Sequence, residues 1–332
     1  MRILQSKIVL WISALLLIFT TIRTGWAQSS QPTQSELPTF IELPLNPTER
    51  AGFTTAMQQH DYTRAETILV EAIDQELRRD PKSKRAARLL AAAGGVFFLH
   101  GEWLNTAISF KKAEAIEPLT ERDRFTLAMA YVRLLRRDWA QTELTKLTSD
   151  FPKNALYLYW LGRLDYDAQQ YQAAIAKLEK VISLDPQMMR AYDNLGLCYD
   201  YLGQYDEAVK QYRQAIELNR KQSQPSPWPH LNLGITLLAQ NKITEAEVSF
   251  REALRFDSRL PQAYYQLGLA LEKLDKTQES IEALERAAEI DALYPEPHYT
   301  LGRLYQKLGD KAKAQGAFAR FQQLKEANRQ PK

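Results

Sequence analysis

Cysteine is almost missing from this chain: Cys198 stands alone among 332 residues. One thiol cannot close an internal disulfide, so stability must come from packing even in an oxidising compartment. Metal patterns are missing too. The four histidines, His60, His100, His230 and His298, show no HxxxH or HExxH spacing, and there is no CxxC; the sequence therefore predicts no metal centre. Gly94-Gly95 lacks the further glycines and the lysine of a phosphate loop, and no G-x-S-x-G elbow occurs. No catalytic constellation or cofactor motif is left to build on, and the chain reads as non-enzymatic.

Long apolar runs are scarce as well. Ile8 to Ile22 carries no charge, follows Arg2 and Lys7, and is followed by Gly25-Trp26-Ala27 before Gln28. Basic start, apolar middle and small residues before a cut are the grammar of a secretory signal peptide, expected over 1–27. The run is shorter than the roughly 20 residues that span a bilayer, so cleavage and export to a periplasmic or secreted location are expected. Membrane contact would arise only if the segment stayed uncleaved. Net charge is the last absence. Removing Arg2, Lys7 and Arg23 from 43 basic residues leaves 40 against 40 acids. A chain without basic surplus is a poor nucleic-acid binder.

What is present is a period. Leu-Gly pairs put glycine at 162, 196, 234, 268 and 302; stepping back by 34 from Gly162 gives Ala128 and then Gly94. Six of only 13 glycines fall at this phase, far more than scatter would place there. Sixteen residues later stand Phe110, Leu144, Leu178, Tyr212, Phe250, Leu284 and Phe318, and twelve later Thr106, Ala140, Ala174, Ala208, Ala246, Ser280 and Ala314. Leu195, Gly196 and Tyr199 share one helix face, and Ala208, Tyr212 and Ala215 share another. The expectation is that glycine on one helix faces alanine on its partner while Leu and Tyr fill the flanks.

The stretch "LGLCYDYLGQYDEAVKQYRQAIELN" resembles the tetratricopeptide repeat family, whose 34-residue unit is two antiparallel helices. The resemblance runs from about Ala87 to Leu324, with a weaker copy in "AMQQHDYTRAETILVEAI". It implies an all-α solenoid of stacked helix pairs, wound as a right-handed superhelix. The expected organisation is a Pro/Gln/Ser linker at 28–46, a degenerate unit at 47–86, and two divergent units at 87–154. Five clearer units follow at 155–326, then a tail at 327–332. Four local departures are expected. "DQELRRDPKSKRAARLL" should lengthen a helix or loop, and Trp139, two residues late, should make its turn irregular. Asp165 replaces an aromatic beside Tyr166. Lys221 to Pro229, "KQSQPSPWP", should form an extended stiff insertion in which Trp228 packs down or forms a lip.

Cys198, inside a predicted helix with no partner, reads as an inert packed residue. His230 and His298 share one phase and read as equivalent packing sites. Asp165, Asp167, Asp193 and Asp200 read as part of a solvated face, since every repeat scatters such acids. The functional expectation comes from the resemblance: a concave groove, lined by first helices, binding a peptide or partner protein. Carried onto this chain, its residues are Tyr159, Arg163, Tyr166, Arg190, Asp193, Asn194, Leu197, Tyr201, Leu231, Asn232, Ile235, Leu238, Tyr265, Gln266, Leu269, Tyr299, Arg303 and Lys307. Asn194, Asn232 and Gln266 share one phase and could bond a peptide backbone. Chaperone-binding members grip a terminal carboxylate with lysines and asparagines; Tyr159, Arg163, Asp193, Leu197, Gln262 and Gln266 do not reproduce that clamp. The alternative expectation is a structural subunit or assembly factor of an envelope complex that self-associates or docks through its solenoid ends.

Overall fold

A computed structural model describes residues 43–329; the expected signal peptide and most of the expected linker lie outside them. The described residues hold sixteen α-helices and no strand, in two compact units that meet in sequence at Pro186 and Gln187. The first unit runs α1 Pro47–Gln58, α2 Tyr62–Arg79, α3 Lys84–His100, α4 Trp103–Glu114, α5 Glu121–Arg133, α6 Arg137–Asp150, α7 Ala155–Asp167 and α8 Tyr171–Leu184. The second runs α9 Met189–Tyr201, α10 Tyr205–Asn219, α11 Trp228–Ala239, α12 Ile243–Phe256, α13 Pro261–Lys273, α14 Thr277–Ile290, α15 Pro295–Lys307 and α16 Lys311–Arg329. Among these residues no helix is long and apolar enough to cross a membrane.

Helix starts are written locally. Asn46 accepts from the Glu49 amide while the Glu49 carboxylate reaches back to the Asn46 amide, each at 2.9 Å, with Pro47 opening α1. This reciprocal box satisfies donors that a bare helix end leaves open. Ser83, Thr120 and Asn154 cap α3, α5 and α7. Leu45, expected in the linker, is buried in the first unit's core beside Phe53, Leu69 and Leu89, so packing begins before α1.

Within each pair the turn is the same device repeated. His60, Gly101, Leu135, Gln169, Gly203, Asn241, Asp275 and Gly309 all have left-handed φ, between 55° and 84°. The amide of the residue after each one donates to the carbonyl five residues before it, from Asp61 to Ala56 at 2.9 Å through Asp310 to Tyr305 at 3.0 Å. That bond closes the last open turn of the first helix. Leu135 obeys this geometry, which corrects the expected irregularity. α6 starts on schedule at Arg137, and Trp139 lies in its first turn, more than half exposed, its ring 5.3 Å from Tyr131. The segment "DQELRR" lengthens α2 to 18 residues, as the sequence suggested.

The seam between paired helices differs from expectation in one respect. Glycine does not chiefly face alanine; it lies under the large residue sixteen positions on. A β-carbon built on Gly196 would sit 2.6 Å from the Tyr212 ring, on Gly234 2.5 Å from Phe250, on Gly302 2.6 Å from Phe318, and on Gly268 2.7 Å from Leu284. No carbon approaches that closely, so these backbones touch rings and branched chains that a methyl would displace. Ala140, Ala174, Ala208 and Ala246 are fully buried and let the second helix come near. Ser280, at that same phase, donates to the Gly268 carbonyl at 2.7 Å.

The insertion is shorter than expected, because Trp228 and Pro229 already belong to α11. Asn219, 1% exposed, closes it. Its amide nitrogen donates to the Ser226 carbonyl at 2.7 Å and its oxygen accepts from the Ser226 amide at 2.8 Å. Trp228 packs, half-buried, against the second unit's core.

Candidate functional site: the faces of the first helices

The first helices of successive pairs reach one another: α3 meets α5, and α9 meets α11, which meets α13. Second helices touch across pairs at most marginally. Within each unit the stack therefore closes up on the side of the odd-numbered helices, and these line its inner face.

In the first unit the sequence placed Tyr159, Arg163 and Tyr166 on this face. All three lie on α7 and all are buried. The Arg163 guanidinium stands over the Tyr166 ring at 5.3 Å and 3.5 Å from Asp167, while Tyr159 meets Trp160 edge-on. Asp165, in the aromatic's place, is ion-paired with Lys177. Tyr166 instead meets Tyr171 across the turn, ring centroids 5.8 Å apart.

In the second unit the predicted residues fall into two groups. Asp193, Asn194 and Leu231 are buried, Arg190, Leu197, Asn232, Ile235 and Leu238 partly so, and Tyr201 is exposed. Leu231 belongs to the core and is a correction: it is 2% exposed and a member of the same buried cluster as Leu267 and Phe250. The expected ladder of amides is also corrected. Asn194 donates to the carbonyl of Arg190 at 2.8 Å, one turn back in its own helix, and Asn232 donates to the Asp193 carboxylate at 3.0 Å, tying α11 to α9. These donors serve the scaffold. Asp200, one turn beyond Leu197, has its carboxyl held above the usual range by burial, against a hydrogen bond from Thr236.

The C-terminal end is more open. Tyr265, Gln266 and Leu269 on α13 are partly exposed; Tyr299, Arg303 and Lys307 on α15 are exposed. Tyr299 is 46% exposed and stands on a shelf of Phe318 and Phe321, centroids 5.9 and 5.2 Å away. Tyr265 leans edge-on against Tyr294 at 5.4 Å, and burial raises its phenol above the ordinary range. Arg303 donates to Glu272 of α13 at 2.6 Å. Sequence reasoning missed Glu272, Thr300 and Tyr294 around this strip. The available signal was opposite charge at Glu272 and Arg303, on facing turns of consecutive first helices.

The remaining polar residues are packing groups. His230 is buried and stacked on Phe256 at 5.4 Å, and burial pushes its imidazole below the usual range. His298, at the same phase, is shifted down for the same reason, with Arg320 adding to it. Cys198 is fully buried.

Family profiles described as tetratricopeptide repeat match residues 125–188, 190–222, 261–292 and 295–328, and one described as TPR repeat matches 234–275. Among curated proteins, nuclear autoantigenic sperm protein from Oryctolagus cuniculus is 36% identical over 69 residues, 18% of this chain and 10% of that protein. The Homo sapiens protein is 33% identical over 66 residues, 18% of this chain and 8% of its own length. The chain thus spans about a tenth of the curated relatives it matches. Among solved structures, a repeat protein from Parabacteroides merdae superposes with TM-score 0.60 at 16% identity, over 74% of this chain and 92% of that one. The Cut9–Hcn1 hetero-tetramer of the APC/C gives 0.58 at 16% identity, over 72% and 46%. PilW, described as a type IV pilus biogenesis factor, gives 0.56 at 18%, over 61% and 92%. At such identities the likeness concerns the fold.

Proposed function

Because the chain belongs to the tetratricopeptide repeat family, whose solenoids are protein-interaction scaffolds, we propose that it is non-enzymatic and holds a partner's peptide segment against its first helices. The binding strip lies on α13 and α15. The observation that carries this reading is Tyr299, an exposed aromatic on an aromatic shelf, with Tyr265 and Leu269 half-exposed on the preceding first helix. Tyrosine offers broad contact area with a polar tip at small entropic cost, which suits it as an anchor. Lys307 on the same helix would favour a segment carrying an acidic residue, while Arg303 is already held by Glu272.

Export to a bacterial envelope is part of the proposal and rests on the sequence alone: Arg2, Lys7, the run Ile8 to Ile22, and Gly25-Trp26-Ala27. Mass spectrometry of the native protein is expected to find Gln28 as its first residue.

Crosslinking with mass spectrometry in the native envelope tests the binding strip. Crosslinks from a partner are expected on α13 and α15, and Tyr265→Ala with Tyr299→Ala should weaken capture roughly tenfold or more with unchanged helicity. Undiminished capture by the double variant would remove the strip from consideration. A concentration-dependent oligomer in sedimentation, with no foreign partner crosslinked, would favour a self-assembling structural subunit.

A further inference from the structure

Glu66, His100 and Glu102 come together from three elements of the first unit: the body of α2, the last residue of α3, and the residue preceding α4. His100 Nδ1 lies 2.8 Å from Glu66 Oε1 and 3.8 Å from Glu102 Oε1, and one ligand atom of each residue lies within 4.8 Å of the other two. Gly101, left-handed at φ 84°, sets His100 and Glu102 on either side of one tight turn, and the Glu102 amide is held by the Phe97 carbonyl at 2.8 Å. Asn105 donates to the other oxygen of Glu102, which leaves Oε1 towards the imidazole. The Glu66 side chain is 13% exposed and that of His100 37%, so the cluster is held firmly yet reachable from solvent.

The repeats supply an internal comparison. At the position of His100 the other turns carry Gln59, Leu134, Ala168, Leu202, Gln240, Leu274 and Leu308, so the turn itself does not require an imidazole. At the position of Glu66, the fifth residue of its helix, α12 carries Glu247. There the residue equivalent to Glu102 is Lys276, whose ammonium lies 2.9 Å from the Glu247 carboxylate, with Arg251 at 2.9 Å as well. In the first unit the cation's place is taken by a second acid. Among the described residues, neither Glu66 nor Glu102 is paired with a lysine or arginine. Two carboxylates facing one imidazole leave an uncompensated negative charge.

We propose that Glu66, His100 and Glu102 bind one divalent transition-metal ion, with zinc the best match. An imidazole nitrogen with two carboxylate oxygens is a borderline-hard donor set that suits zinc better than calcium or magnesium. Bond lengths of about 2.0–2.2 Å place such ligand atoms some 3.5 Å apart, which side-chain rotation within the present cluster reaches. Asn105 then acts as the outer partner that orients a ligating carboxylate.

The test is calorimetric titration of tag-free full-length chain, stripped with chelator, with zinc chloride, and with calcium chloride in parallel. One saturable equivalent of zinc is expected, together with a higher melting temperature. His100→Ala should abolish it, Glu66→Gln should weaken it roughly tenfold or more, and His298→Ala should leave it intact. No saturable heat, or equal zinc affinity in His100→Ala, overturns the proposal. If His100→Ala loses its helical circular dichroism, Glu102→Gln replaces it, and unchanged zinc affinity in that variant is equally fatal.

Discussion

At the scale of single residues, the pair formed by a glycine and the residue sixteen positions later decides how closely two helices approach. The space differs along the chain. At Gly234 a β-carbon would meet the fully buried Phe250 ring at 2.5 Å, whereas at Gly162 it would meet Leu178 and Lys177 at 3.3 Å. Ala128, at the same phase opposite Leu144, already carries the methyl and is fully buried. Leu178 therefore leaves room over Gly162 that Phe250 does not leave over Gly234, whereas Leu284 lies nearly as close over Gly268 as the ring does. Gly234→Ala is expected to destabilise the chain by about 1–3 kcal/mol through overpacking. Gly162→Ala should fall within about 1 kcal/mol of the parent, because alanine's helix preference offsets the tighter contact. Urea unfolding of the two variants checks this, and equal stabilities would mean that the ring does not cover the glycine.

At the scale of elements, the chain absorbs the insertion after α10 without disturbing the stack. The 38-residue step between Gly196 and Gly234 is taken up by Arg220 to Pro227, and the two Asn219 hydrogen bonds pin the far end of that segment beside the end of α10. α11 can then begin in register, with Trp228 packed against the core. Asn219→Ala removes a donor and an acceptor from a buried site and should cost about 1–3 kcal/mol. It should also expose 220–227 to limited proteolysis, at a rate that Asn219→Asp, which keeps the acceptor, raises less. A loop no more sensitive to protease in Asn219→Ala would mean that the prolines alone hold it. Periodicity located the insertion from sequence but not its end, because no alternation of apolar residues announces an asparagine clasp. The turns behave similarly. Five of the eight left-handed positions are not glycine, so composition did not mark them, and only the hydrogen bonds across each helix end show that they are one device.

At the scale of the whole molecule, each helix pair is held mainly by its neighbours in sequence, so damage should stay local. The last two pairs share a small core in which Leu284, Leu301, Leu304 and Tyr305 meet Ala314. Leu304, 1% exposed, is central to it. Leu304→Ala should cost about 2–5 kcal/mol and speed hydrogen exchange in α15 and α16, while α3 to α6 keep the protection of the parent. Uniform loss of protection along the chain would show a single cooperative body instead. The proposed peptide strip lies on this end, on α13 and α15, so Leu304→Ala should also release a bound partner.

The order of residues alone determined the helical class, the pairing of neighbours and the seven small positions at one phase, because helix formation and nearest-neighbour packing depend on spacings of 3, 4 and 34 residues. The inner face lined by first helices was implied by the resemblance to the repeat family and not by spacing alone. Tertiary structure decided what each side chain does there. Asn194 and Asn232 serve the scaffold, Leu231 serves the core, and Tyr299 stands out on its shelf. It also gathered Glu66, His100 and Glu102, which no motif joins. Each of those outcomes depends on which residue a neighbouring pair supplies across the interface, and that contact is made only when the pairs stack.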